Sequence, residues 1–206
     1  MSNDKLVAVV GHSLVPQSIG PIDGVKVEIF RSPGARISTF HSNPKLSNVL
    51  YWTHDLTILF IGGNDINDNC VPAEISENIQ NLIEEIHTTC NSHIAFVLIE
   101  HRNPPPDNRF NVTASNYNRI ATNINNRLKR KYKNKSYVQF VSVGAKPFKF
   151  GVTDGIHFDR ETKTHLITKL RNAIRARGGH GSADEVPRGQ RGGGVPFRRD
   201  HRPPRG

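Results

Sequence analysis

Leu56-Thr57-Ile58-Leu59-Phe60-Ile61-Gly62-Gly63-Asn64-Asp65 is the stretch on which the fold turns. Its first six residues are apolar or β-branched without alternation. Such a run, stopped by paired glycines, reads as a strand buried on both faces of a parallel sheet. Outward in both directions the pattern repeats. Lys5 to Val10 is a continuous run ending at Gly11, and Ile94 to Ile99 and Val138 to Val143 are further short runs. Val25 to Phe30 alternates with period two. Between them lie helical stripes: Ile75, Ile79, Leu82, Ile83 and Ile86 within 73–89, then Ile120, Ile124 and Leu128 within 113–132. Leu166, Ile167, Leu170 and Ile174 mark a last helix over 159–177, with Asp159 placed to cap it. One short helix is expected near 46–51. This order predicts an α/β protein: a three-layer α/β/α sandwich on a five-stranded parallel sheet, with right-handed crossovers. Ligands of such sheets bind beyond the carboxyl ends of the strands. The loops after Val10, Phe30, Ile61, Ile99 and Val143 are therefore where chemistry is sought.

The 206 residues suit one domain over 1–177 followed by a tail over 178–206. The tail is rich in Gly, Arg and Pro, and its only larger apolar residues are Val186, Val195 and Phe197. That cannot offset the entropy of ordering it, so it reads as disordered. No apolar run reaches the roughly 18–20 residues of a membrane span. Met1 to Lys5 lacks the features of a signal peptide. Two cysteines, Cys70 and Cys90, make no disulfide framework, and no His/Cys spacing reads as a metal site. An intracellular, cytoplasmic location is the expectation, with the sequons at Asn111 and Asn134 as chance matches.

The predicted strand ends carry a serine (Gly11-His12-Ser13-Leu14), a glycine (Ser32-Pro33-Gly34-Ala35) and an asparagine (Gly62-Gly63-Asn64-Asp65). Near the end of the body comes Asp154-Gly155-Ile156-His157-Phe158. These are the parts that acyl transfer needs. A hydroxyl becomes a nucleophile when an imidazole takes its proton. The imidazole needs a carboxylate to hold its tautomer. The developing oxyanion needs N–H donors.

At these residues the sequence resembles the SGNH (GDSL-like) hydrolase superfamily. Gly11-His12-Ser13-Leu14, Gly34, Gly63-Asn64-Asp65 and Asp154-Gly155-Ile156-His157 look like its four marker blocks in order, over roughly residues 5–177. The resemblance implies a flavodoxin-like fold and a serine esterase with no metal or organic cofactor. Ser13 would be the nucleophile, His157 the general base and Asp154 its orienting acid. The Ser13 and Gly34 N–H groups and the Asn64 amide would form the oxyanion hole. The first block departs from the family pattern, with His12 where the family usually has an aspartate that organises the loop.

Each residue also has a plainer reading. A lone serine, Asn64-Asp65 or Pro33-Gly34 is usually a turn former, and His12, His41, His54 and His101 read as surface or structural residues. His101-Arg102-Asn103 is placed at the site rim, and Cys70 as a packing residue. The four blocks together favour the catalytic reading of Ser13.

Charge adds a second theme. The net charge is +10, and half of it falls from Arg175 onward, where eight arginines face three acids. Arg127, Lys129, Arg130, Lys131, Lys133 and Lys135 crowd nine positions. That run is either a solvated helix end complementing the dipole or a nucleic-acid contact. Arg191, Arg198 and Arg199 lie in the Arg/Gly tail, a composition that binds RNA or single strands. The rival to an ester hydrolase is thus a weakly active or inactive RNA-binding module of the same fold. Similar domains occur in mobile-element and germ-plasm proteins.

Overall fold

The computed structural model describes residues 4–103, 112–143 and 157–178. The sheet runs in the order β2-β1-β3-β4-β5. Its strands are β1 (Lys5–Gly11), β2 (Val25–Arg31), β3 (Leu56–Phe60), β4 (His93–Val97) and β5 (Val138–Val141). Every pairing is parallel. Its helices are α1 (Pro44–Ser47), α2 (Pro72–Cys90), α3 (Ala114–Lys131) and α4 (Arg160–Gly178).

The continuous apolar runs fall where burial is two-sided. All five residues of β3, in the centre, are buried. Alternate residues feed two cores. Ala8, Val10, Leu59, Ile94 and Phe96 face one side and meet Ile79, Ile83 and Ile86 of α2 and Ile120, Ile124 and Leu128 of α3. Val7, Val9, Ile58, Ala95 and Val97 face the other and meet Leu166, Leu170 and Ile174 of α4. Burying one such Leu or Ile side chain contributes about 2 kcal/mol. β2 is an edge strand, and its residues are only partly buried apart from exposed Lys26. That is why its sequence alternates while that of β3 does not.

The segment expected to hold one short helix folds as three. A 3₁₀ turn at Ile37–Thr39 precedes α1, and a second 3₁₀ turn at Asn48–Tyr51 follows it directly. The Asn43 side chain accepts a hydrogen bond from the Lys45 N–H, and Pro44 opens α1 without losing an intrahelical bond. Asp159 caps α4 as expected, its Oδ1 accepting from the Thr162 N–H at 2.7 Å.

The chain leaves β1 toward β2 on one side of it, and β3 pairs on the other. The crevice at this reversal, above the ends of β1 and β3, is where open α/β sheets seat ligands.

Candidate active site

The turn that carries Ser13 is built by exclusion. Gly11 ends β1 at φ 147°, and a Cβ there would lie 1.9 Å from the Phe60 carbonyl oxygen. Only glycine lets the two strands close at this point. The His12 N–H then donates to that Phe60 oxygen, and the Val15 N–H closes a turn onto the His12 carbonyl at 3.1 Å. Ser13 sits within the turn, half-buried. The Arg31 guanidinium, at the end of β2, donates to the Ser13 carbonyl at 3.2 Å.

His12 is the substituted position, and it is buried, with 7% of its surface exposed. Its Nδ1 accepts a hydrogen bond from the Leu14 N–H at 3.3 Å. That interaction requires an unprotonated Nδ1, so the neutral ring carries its proton on Nε2. Burial, then the nearby Arg102 guanidinium and His157 ring, pull its pKa from 6.5 down to about 4. A neutral imidazole thus holds this loop. Of the other histidines, His54 is also buried, His41 pairs with Glu85, and His101 meets the Thr122 hydroxyl at the surface.

The loop after β3 and the loop after β2 are joined. The Asn64 amide donates to the Ala35 carbonyl at 3.0 Å, and both Asp65 carboxylate oxygens accept from the Ile37 N–H at 3.1 and 3.3 Å. Gly34, exposed at φ 75°, has open space where a side chain would stand. Asn64 retains a second amide hydrogen, because Ala35 uses one of two.

A third clasp was not read from the sequence. Arg102, half-buried, ties the loop after β4 to the loop after β3. Its guanidinium donates to the Gly63 carbonyl at 3.2 Å and stacks 4.0 Å above the buried Tyr117 ring. Its backbone exchanges two hydrogen bonds with Asn118 of α3. A basic residue after a strand and an aromatic one on a following helix gave no signal of this contact. Beside it, the Glu100 carboxylate accepts from the Val143 N–H at 2.9 Å, and burial pushes its pKa up to about 7. His12, Glu100, Arg102 and Tyr117 are among the residues that line a void of about 30 Å³, room for about one water.

His157 precedes α4 and is held by its neighbour Phe158, which is buried in the α4-side core. Ser13 and His157 line one cavity of about 380 Å³, together with Arg31 and, from α4, Lys163, Leu166 and Ile167. Gly34 and Asn64 are not among the residues lining that cavity; Asn64 is tied instead to Ala35, the neighbour of Gly34. Asp154, Arg191, Arg198 and Arg199, and the tail from residue 179, lie outside the described residues. Arg127, Lys129, Arg130, Lys131 and Lys133 are exposed at and beyond the end of α3, away from this cavity's lining. Among the described residues no cluster of His, Cys, Asp or Glu could hold a metal ion, and no helix is long and apolar enough to cross a membrane.

Sheet order, parallel pairing and loop placement put this chain in the class of α/β/α proteins with a five-stranded parallel sheet. Solved structures of that class superpose on most of it. A carbohydrate acetylesterase from Sinorhizobium meliloti, Est24, matches with a TM-score of 0.65 at 19% identity, over 84% of this chain and 99% of that one. An aryl esterase from M. smegmatis matches with a TM-score of 0.62 at 18% identity, over 84% and 99%. A lipolytic protein of the G-D-S-L family from Veillonella parvula matches with a TM-score of 0.62 at 14% identity, over 82% and 98%. No curated protein matches significantly in sequence. The model of the GDSL-like lipase/acylhydrolase family matches residues 8–170, and the chain belongs to that family.

Proposed function

We propose that this chain is a serine ester hydrolase with Ser13, His157 and Asp154 as its catalytic triad. The observation that carries the reading is the shared cavity: Ser13 follows the first strand, His157 precedes the last helix, and both open onto one space. Ser13 Oγ bonds to the ester carbonyl carbon while its proton passes to the His157 imidazole. The charge formed on the carbonyl oxygen is met by the Ser13 and Gly34 N–H groups and the second Asn64 amide hydrogen. The carbon–oxygen bond to the alcohol then breaks, and His157 returns the proton to the leaving oxygen. Water, deprotonated by the same imidazole, adds to the acyl carbon; the bond to Ser13 Oγ breaks, His157 returns the proton to that oxygen, and the acid leaves. Asp154 orients His157 and offsets its charge while it holds the proton. No cofactor takes part in this scheme. The free thiols of Cys70 and Cys90 fit a reducing, cytoplasmic setting.

The test is hydrolysis of a 4-nitrophenyl ester by the wild type and by Ser13→Ala. Loss of about a thousandfold or more in kcat/KM supports the reading. Equal rates overturn it.

A second activity, RNA binding, is favoured by the basic surface of α3. Arg127, Lys129, Arg130, Lys131 and Lys133 are exposed, and among the described residues none is ion-paired with a carboxylate. Arg191, Arg198 and Arg199 would extend that surface.

A further inference from the structure

The described lining of the cavity shared by Ser13 and His157 has an uneven charge. It holds two permanent cations, Arg31 and Lys163, and neither aspartate nor glutamate. Arg31 stands at the end of β2 and reaches over to the Ser13 carbonyl, so a guanidinium is fixed beside the nucleophile's own backbone. Its Nε–H is buried and has no acceptor among the described residues. Lys163 stands one turn into α4, exposed, and among the described residues it pairs with no carboxylate. The lining also holds aliphatic Leu14, Val15, Leu166 and Ile167, beside Pro16, Gln17 and Ser18. About 380 Å³ is room for a short chain with a polar end rather than an acetyl group alone.

We propose that the ester hydrolysed at Ser13 carries a negative charge, a carboxylate, sulfate or phosphate, seated between Arg31 and Lys163 with its aliphatic part against Val15, Leu166 and Ile167. A guanidinium fork suits such planar or tetrahedral oxyanions, and a flexible ammonium adds a second contact. The proposal rests on the Ser13 reading above. It adds substrate charge as the basis of selectivity. The charge can belong to the acyl chain or to the alcohol, and the two sources are separable.

Two ester pairs test it on the full chain. For acyl-side charge, 4-nitrophenyl hydrogen adipate is compared with 4-nitrophenyl hexanoate. For alcohol-side charge, the acetyl ester of 4-hydroxybenzoate is compared with that of its methyl ester. In at least one pair the wild type prefers the charged ester by about fivefold or more in kcat/KM at low salt. The preference shrinks in 0.5 M salt, as expected for a partly exposed pair. Lys163→Gln brings the ratio toward one, and Lys163→Glu inverts it. Lys163 is exposed, so these variants fold even if Arg31→Gln does not. Equal kcat/KM within both pairs, or a preference that Lys163→Glu leaves intact, overturns the anionic substrate while loss of hydrolysis in Ser13→Ala upholds Ser13. Absence of hydrolysis of all four esters, with no fluorophosphonate labelling of Ser13, overturns the nucleophile and the proposal with it.

Discussion

At the scale of single residues, Gly11 and His12 set the nucleophile's turn by opposite means, one by lacking a side chain and one by burying a neutral one. Gly11→Ala puts a methyl group 1.9 Å from a backbone oxygen that has nowhere to go. The expected loss is about 3 kcal/mol or more, read as a lower urea midpoint with an unchanged slope. His12 gives a pH signature. Its folded pKa of about 4 lies below 6.5, so between those values the unfolded chain binds the extra proton. Its contribution is complete above pH 6.5 and is lost as pH falls toward 4, about 3 kcal/mol in all. Glu100 runs the other way: its folded pKa of about 7 lies above 4.5, so its contribution fades as pH rises through that window. The two slopes oppose each other between pH 4.5 and 6.5. Glu100→Gln should therefore gain stability over the wild type progressively from pH 5 to 8, measured by urea unfolding at each pH. A constant difference across that range would contradict the assignment. Ser13, Gly34, Asn64 and His157 can be proposed from the sequence because each sits in a short block at a predicted strand end. Arg102 and Tyr117 were not, because their contact exists only after α3 packs on the sheet.

At the scale of elements, legibility followed length and burial. The continuous run of β3 and the stripes of α2 and α3 announce themselves, since each repeats its signal over many residues. Residues 37–51 did not: three helical pieces of three or four residues are too short to show a period, and only Asn43-Pro44 marks a start. The entry to α4 matters most, because it places both His157 and Lys163. Asp159→Ala removes the cap on the Thr162 N–H and should cost about 1 kcal/mol, whereas Asp159→Asn, which can also cap, should cost a few tenths. Thermal melts of both variants check this. Esterase activity should fall with the alanine variant more than with asparagine. The loop clasp is a similar case. Asn64→Ala loses both the bond to Ala35 and the proposed oxyanion donor, and should lower kcat about a hundredfold or more with a small change in KM.

At the scale of the whole molecule, the strand order brings the ends of β1 and β3 together at the sheet's reversal point. The same architecture turns the basic end of α3 to solvent, away from the cavity's lining. Catalysis and nucleic-acid contact would then be separable. Replacing Lys129, Arg130 and Lys131 by Gln in the full chain should weaken RNA binding and flatten its salt dependence by about two to three units of slope. Ester hydrolysis should not change. An unaltered salt slope would remove α3 from the RNA surface. The central claim is that His157 activates the Ser13 hydroxyl, and it is tested most directly by a fluorophosphonate followed by peptide mass mapping. The account predicts one adduct, on Ser13, that disappears in His157→Ala. An adduct elsewhere, or none on the wild type, would contradict it.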